Sequence, residues 1–216
     1  RLEEVRVGVE AGDLETALAE IDTLILRGEA DRSPENRDYP LLLLERSQIY
    51  QALGRHADAI ADLTAADQIL EVLDLSPDRA GSAAEYLWSG SKKLYRPPVY
   101  EKLMVNVLAA SSFLASGDIR GAMVEARRIL VLTDYFEGTD LWRHPMLGAA
   151  WYVAGLAFEL GGDDDSAVRA YLDAFERQHA PGLAESIVRM VGQGPLAGDP
   201  RAEKARAWLG VEDADG

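Results

Sequence analysis

The chain has 216 residues, 48% of them apolar, enough to bury a substantial core and too many for wholesale disorder. Lys and Arg number 22 against 37 Asp and Glu, a net charge of −15 that repels phosphate backbones and anionic membrane surfaces. Cysteine is absent, which excludes a thiol nucleophile, a disulfide framework and a cysteine zinc site, and no apolar run reaches the ~18 residues of a membrane-spanning helix.

Residues 1–28 read as a first helical hairpin hinged at Gly12-Asp13, with Leu14, Ala17, Leu18, Ile21 and Leu24 on one face of its second helix. A connection over Arg32–Pro40, holding Ser33-Pro34 and Tyr39-Pro40, leads to a second hairpin over 40–75. Its hinge is Gly54-Arg55, followed by His56, Ala59, Ile60, Leu63 and Ala66. Ser76-Pro77-Asp78 then reads as an N-cap with Pro at the first helical position, opening an inserted helix over about 77–94 that carries Tyr86, Leu87 and Trp88. Arg96-Pro97-Pro98 stops the chain and restarts it.

The third hairpin, 99–134, is the clearest. Gly117 suits the left-handed position that ends a helix, and Asp118 is a favoured cap for the next. Ile119, Ala122, Met123, Ala126, Ile129 and Leu130 follow at helical spacing, whereas the helix before the hinge is apolar over a wider arc, as in a helix packed on two sides. After a connection over Glu137–Pro145, a fourth hairpin spans 146–178 around Gly162-Asp163. Two short helices, Leu183–Val191 and Arg201–Leu209, make a C-terminal extension over about 182–209, joined by a Gly/Pro-rich linker. The acidic end Glu212–Gly216 reads as frayed. No segment alternates like a strand, so the expectation is one all-α domain.

In all four hinges an alanine stands five residues after the glycine, with apolar residues at six and nine. Counting back seven and four from the later glycines gives Ser47 and Tyr50, Ala110 and Phe113, Gly155 and Phe158, and Trp151 precedes the last. This order resembles the tetratricopeptide repeat (TPR), and the resemblance implies a TPR-like α-solenoid of about four hairpins with inserted helices. The hinges lie 42, 63 and 45 residues apart against a TPR period of 34, so the excess falls in longer helices or insertions.

The stretch from Leu41 to Arg177 is similar to something narrower. Tyr100-Glu101-Lys102 opens a helix, Ala110, Phe113 and Gly117-Asp118 follow, and then comes Val124-Glu125-Ala126-Arg127-Arg128. This resembles a family of uncharacterised bacterial envelope lipoproteins with TPR-like repeats. The resemblance implies an exported protein on the periplasmic side, tethered by a lipid anchor upstream, with no assigned enzymatic activity. The chain begins with Arg1 and shows no signal peptide, so it is expected to be a mature or truncated portion.

Candidate chemistry is sparse. His56, His144 and His179 stand at a hinge, a loop and a helix end, and read as surface or capping histidines with no metal-ligand spacing. Asp163-Asp164-Asp165 lacks the distal Glu of a calcium loop and reads as helix capping. Arg127-Arg128 with Glu125 fits an anion clamp less well than one arginine bridging to an acid on a neighbouring helix, the other being solvated. Tyr86, Trp88, Tyr95 and Tyr100 form an aromatic set that packs the insert or binds a partner. There is no serine elbow, phosphate loop or dinucleotide fingerprint, so neither a catalytic residue nor a cofactor nor a metal is expected.

In TPR solenoids the first helix of each pair lines the concave face where partners sit. Aligning the hinges places Leu44, Gln48 and Gln51 there from the second repeat, Met104, Val107, Ser111 and Leu114 from the third, and Tyr152, Leu156 and Glu159 from the fourth. The expected function is a non-catalytic adaptor of a bacterial envelope assembly, holding a partner's helix or peptide segment. Two alternatives stand beside it: a protein or enzyme that binds a small acidic ligand or glycan through the aromatic insert and Arg96, Arg127 or Arg128, and a cytoplasmic TPR adaptor. A further expectation competes with any free face, namely that the inserts or the segment after Pro181 fill the groove.

Overall fold

A computed structural model describes residues 2–30, 39–74, 99–134, 136, 142, 144–177, 179, 181–192, 196 and 198–210. Among them the secondary structure is helical: α1 Leu2–Glu10, α2 Leu14–Ala30, α3 Tyr39–Ala52, α4 His56–Asp74, α5 Val99–Ser116, α6 Ile119–Asp134, α7 Pro145–Leu160, α8 Asp164–Phe175, α9 Pro181–Val191 and α10 Pro200–Leu209. The inserted helix expected over 77–94, with Tyr86, Trp88, Tyr95 and Arg96, lies outside the described residues. No described helix is long and apolar enough to cross a membrane.

The four hinges share one hydrogen-bond plan. At the third, Gly117 takes φ +79°, a conformation that glycine adopts without a Cβ clash. The Asp118 N–H donates to the Phe113 carbonyl at 2.9 Å, closing the end of α5, and the Asp118 carboxylate accepts from the Gly121 N–H at 2.9 Å, opening α6. Gly12, Gly54 and Gly162 have φ between 71° and 76°, and the residue after each donates to the carbonyl of Gly8, Tyr50 or Phe158 in the same way. The alanine five residues on (Ala17, Ala59, Ala122, Ala167) is fully buried in each case. A methyl group there lets the paired helices approach, and any larger side chain would push them apart.

Two compact units divide the chain, Arg1–Val105 and Asn106–Gly216, with α5 contributing to both. In the first, α1 packs on α2, α2 on α3 and α3 on α4. Val5, Ala17, Leu18, Ile21, Ile25, Leu42, Leu43, Ile49, Tyr50, Ala59 and Ala66 fill its core. A guanidinium spans that packing. Arg46 on α3 gives Asp62 of α4 two hydrogen bonds of 2.7 Å and Asp22 of α2 a third of 2.7 Å.

In the second unit α6 packs on α7, α7 on α8 and α8 on α9, and α10 packs on both α9 and α8. The segment expected as a C-terminal extension is therefore a fifth hairpin stacked on α8. Its core residues are Leu183, Ala184, Ile187, Val191, Ala202 and Ala205. Asp199 caps α10 by accepting from the Arg201 N–H at 2.8 Å, Pro200 starts the helix, and Gly210 ends it with φ +67°. The Trp208 ring meets Phe175 of α8 edge-on, with centroids 6.3 Å apart.

Candidate functional site

The residues expected on the partner-facing side of the first helices differ in what they expose. On α3, Gln48 is exposed, Leu44 and Gln51 are half-buried, and Leu44 packs against the core of the first unit. On α5, Met104, Ser111 and Leu114 are half-buried, and the Ser111 hydroxyl donates back to the Val107 carbonyl at 2.8 Å. Val107 itself is only 6% exposed, so a charge introduced there tests folding rather than binding.

On α7 the same register gives a more developed surface. Tyr152 is 44% exposed, and Leu156 and Glu159 follow it at half-buried positions one and two turns on. Behind Tyr152 stands Tyr171 of α8, its ring tilted 38° with centroids 6.0 Å apart. Gly155 makes room for that ring, since a Cβ there would stand 2.5 Å from Tyr171 Cδ1. The Tyr171 hydroxyl donates to Glu159 Oε2 at 2.7 Å, and Arg189 of α9 pairs with Oε1. Burial pushes the Glu159 carboxyl up, but the Tyr171 hydroxyl and the Arg189 guanidinium outweigh it and hold the group below the usual carboxylate range. The Tyr171 phenol is driven upward by burial and by donating to Glu159. The arrangement is a strip of aromatic, aliphatic and ionised carboxylate in sequence, its carboxylate fixed from both sides.

Other candidates resolve into structural roles. Arg128 pairs at 3.5 Å with Glu125 one turn back on its own helix rather than with an acid of a neighbouring helix as expected, and Arg127 is exposed on α6. His144 caps α7, its Nδ1 accepting from the Met146 N–H at 3.2 Å, and His179 stands edge-on to Phe175 with centroids 4.5 Å apart. His56 is half-buried, and its Nδ1 is enclosed without a hydrogen-bond partner. Asp163 caps α8 by accepting from the Ser166 N–H, and Asp165 pairs with Arg169 at 3.3 Å. Among the described residues no three His, Cys, Asp or Glu groups gather as metal ligands. Tyr100 is exposed.

Three constellations gave no signal in the sequence. Arg46 with Asp22 and Asp62 links residues 24 and 16 apart. Glu159 and Arg189 are 30 apart and meet only because α9 stacks beside α8. Arg177 lies over the rings of both Trp142 and Trp151, 4.6 and 4.1 Å from their centroids, and donates to the Trp142 carbonyl.

No protein-family model matches the sequence, and no curated protein matches it. Among solved structures the chain is similar to a putative kinesin light chain of Podosopora anserina with nearly identical TPR-like repeats. Identity is 15% and the TM-score 0.62, over 95% of this chain and 91% of that one. It is also similar to the Rap conjugation gene regulator of the plasmid pLS20, solved with the Phr* peptide, at 12% identity and TM-score 0.53 over 96% of this chain. The chain spans about half the length of that regulator, 50%. These likenesses establish the fold: all-α, with TPR-like helical repeats of the α-solenoid class.

Proposed function

We propose that the protein is a non-catalytic interaction scaffold that receives a helix or peptide segment of another protein on the exposed face of α7, in an assembly of the bacterial cell envelope. The observation that carries the reading is the α7 strip. Tyr152 is a large apolar side chain left 44% exposed on a first helix, followed by Leu156 and by a carboxylate held ionised between Tyr171 and Arg189. Aromatic anchors beside fixed polar groups are what interfaces concentrate their energy on. The Rap regulator, of similar fold, is solved with a peptide, which supports a fold able to carry such a ligand. The envelope setting and an upstream lipid anchor rest on the resemblance of the central stretch alone.

The test is capture of the partner from a cell-envelope extract with wild type and Tyr152→Arg, melting temperatures being compared in parallel. Retention on wild type and loss on a normally folded Tyr152→Arg is the expected result. A partner held equally by both removes the α7 strip from the interface. Cell fractionation, with the sequence upstream of Arg1 read for a lipid-bearing cysteine, tests the compartment separately.

A further inference from the structure

At the C-terminal end of α8 lies a cleft of about 540 Å³ bounded by Trp142, Phe175, Glu176, Arg177, His179, Arg201 and Lys204. Its volume falls in the range that small organic ligands occupy. The cleft concentrates cations that the rest of the chain spreads thinly. Acids outnumber bases 37 to 22 over the chain, whereas here three cations (Arg177, Arg201, Lys204) gather, balanced by Glu176 in the lining and by Asp173 and Asp199 behind Arg201.

The cations are positioned, and their donors are not all used. Arg177 is fixed over Trp142 and Trp151, and donates through Nε to the Trp142 carbonyl and through Nη1 to the Asp173 carbonyl and Glu176. Arg201 is oriented by Asp199 at 3.1 and 3.0 Å and by Asp173 at 2.5 Å. Each guanidinium has five N–H donors, so both arginines keep donors that are uncommitted among the described residues. Lys204 is exposed and has no ion pair among them. The exposed His179 ring and the half-buried Trp142 indole supply flat ring surface beside these donors, over a floor formed by the buried Phe175.

We infer that this cleft binds a small organic anion, a carboxylate or phosphate group attached to a flat apolar ring, with Lys204, Arg201 and Arg177 receiving the anion and the aromatic side chains receiving the ring. The site shares no residue with the α7 strip and does not rest on the scaffold reading.

Calorimetric titration of the full chain with phenyl phosphate tests it, using orthophosphate and benzyl alcohol as half-ligands. Saturable binding of phenyl phosphate is expected, at least about tenfold tighter than either half-ligand. Lys204→Glu, on an exposed position that leaves the fold intact by circular dichroism, weakens it by about tenfold or more, and Arg169→Glu on the exposed side of α8 leaves it unchanged. Absence of saturable binding at millimolar ligand, equal affinity for orthophosphate, or full affinity in Lys204→Glu would each overturn the proposal.

Discussion

Replacing Gly155 by Ala probes how tightly α7 and α8 are locked. The added Cβ would stand 2.5 Å from Cδ1 and 2.6 Å from Cε1 of Tyr171, a ring only 1% exposed and unable to swing aside into solvent. Overpacking a close-packed interior costs about 1–3 kcal/mol, and α7 gains back about 1 kcal/mol because alanine is the better helix former. Pushing the ring also strains the 2.7 Å bond from the Tyr171 hydroxyl to Glu159, a hydrogen bond to a charged acceptor of roughly 1.5–3 kcal/mol. The net expectation is a loss of about 3 kcal/mol, or roughly 6–12 °C in melting temperature for a chain of this size. Urea denaturation and thermal melting followed by circular dichroism measure it. Gly182→Ala is the contrast, since nothing lies within 4 Å of a Cβ there; it is expected neutral or slightly stabilising. In a Tyr171→Leu background Gly155→Ala is expected to lose most of its cost, which a double-mutant cycle reads directly. A Gly155→Ala protein as stable as wild type would refute the wedge.

Arg46→Met leaves the Asp62 carboxylate, 8% exposed, without its two hydrogen bonds, and is expected to cost about 3 kcal/mol; adding Asp62→Leu should restore stability to within about 1 kcal/mol, as seen by urea denaturation. Glu159 carries a folded pKa below its ordinary value, so its stabilisation is present above the ordinary carboxylate range and is lost as pH falls through the folded value. Melts across a pH series should therefore find Glu159→Gln less stable than wild type at neutral pH, with the gap closing in acid; a gap constant across the series would remove ionisation from the explanation. Asp118→Ala deletes the acceptor for the Gly121 N–H and is expected to cost about 1 kcal/mol in the same assay, with Asp118→Asn close to neutral.

The four hinges were legible because their causes are local. A glycine at the left-handed turn, a capping aspartate in three of the four and an alanine five residues on are read from a dozen consecutive residues, and the structure closes each hinge there. The fifth hairpin was not legible as a repeat. Gly192 has no capping aspartate beside it and the next helix begins only at Pro200, so the local pattern dissolves although the packing persists. On α5 the register did not sort surface from core. A helix apolar on all sides gives no contrast from which to choose a free face, and Val107 proves buried where Ser111, one turn on, is half-exposed. Along α7 Tyr152, Leu156 and Glu159 were readable as one strip, but not the partners of Glu159, which come from two other helices. The aromatic–cationic cleft was hidden for the same reason, its lining being drawn from positions between 142 and 204.

Helix α10 has a practical corollary for anyone preparing shortened versions of the protein. It fully buries only Ala202 and Ala205 and shows solvent a run of polar side chains, while Trp208 screens the edge of Phe175. Expression of a fragment stopped before Pro200 would strip that screen and wet the oily backs of α8 and α9 together, inviting self-association during purification. A soluble truncation should keep everything through Gly210.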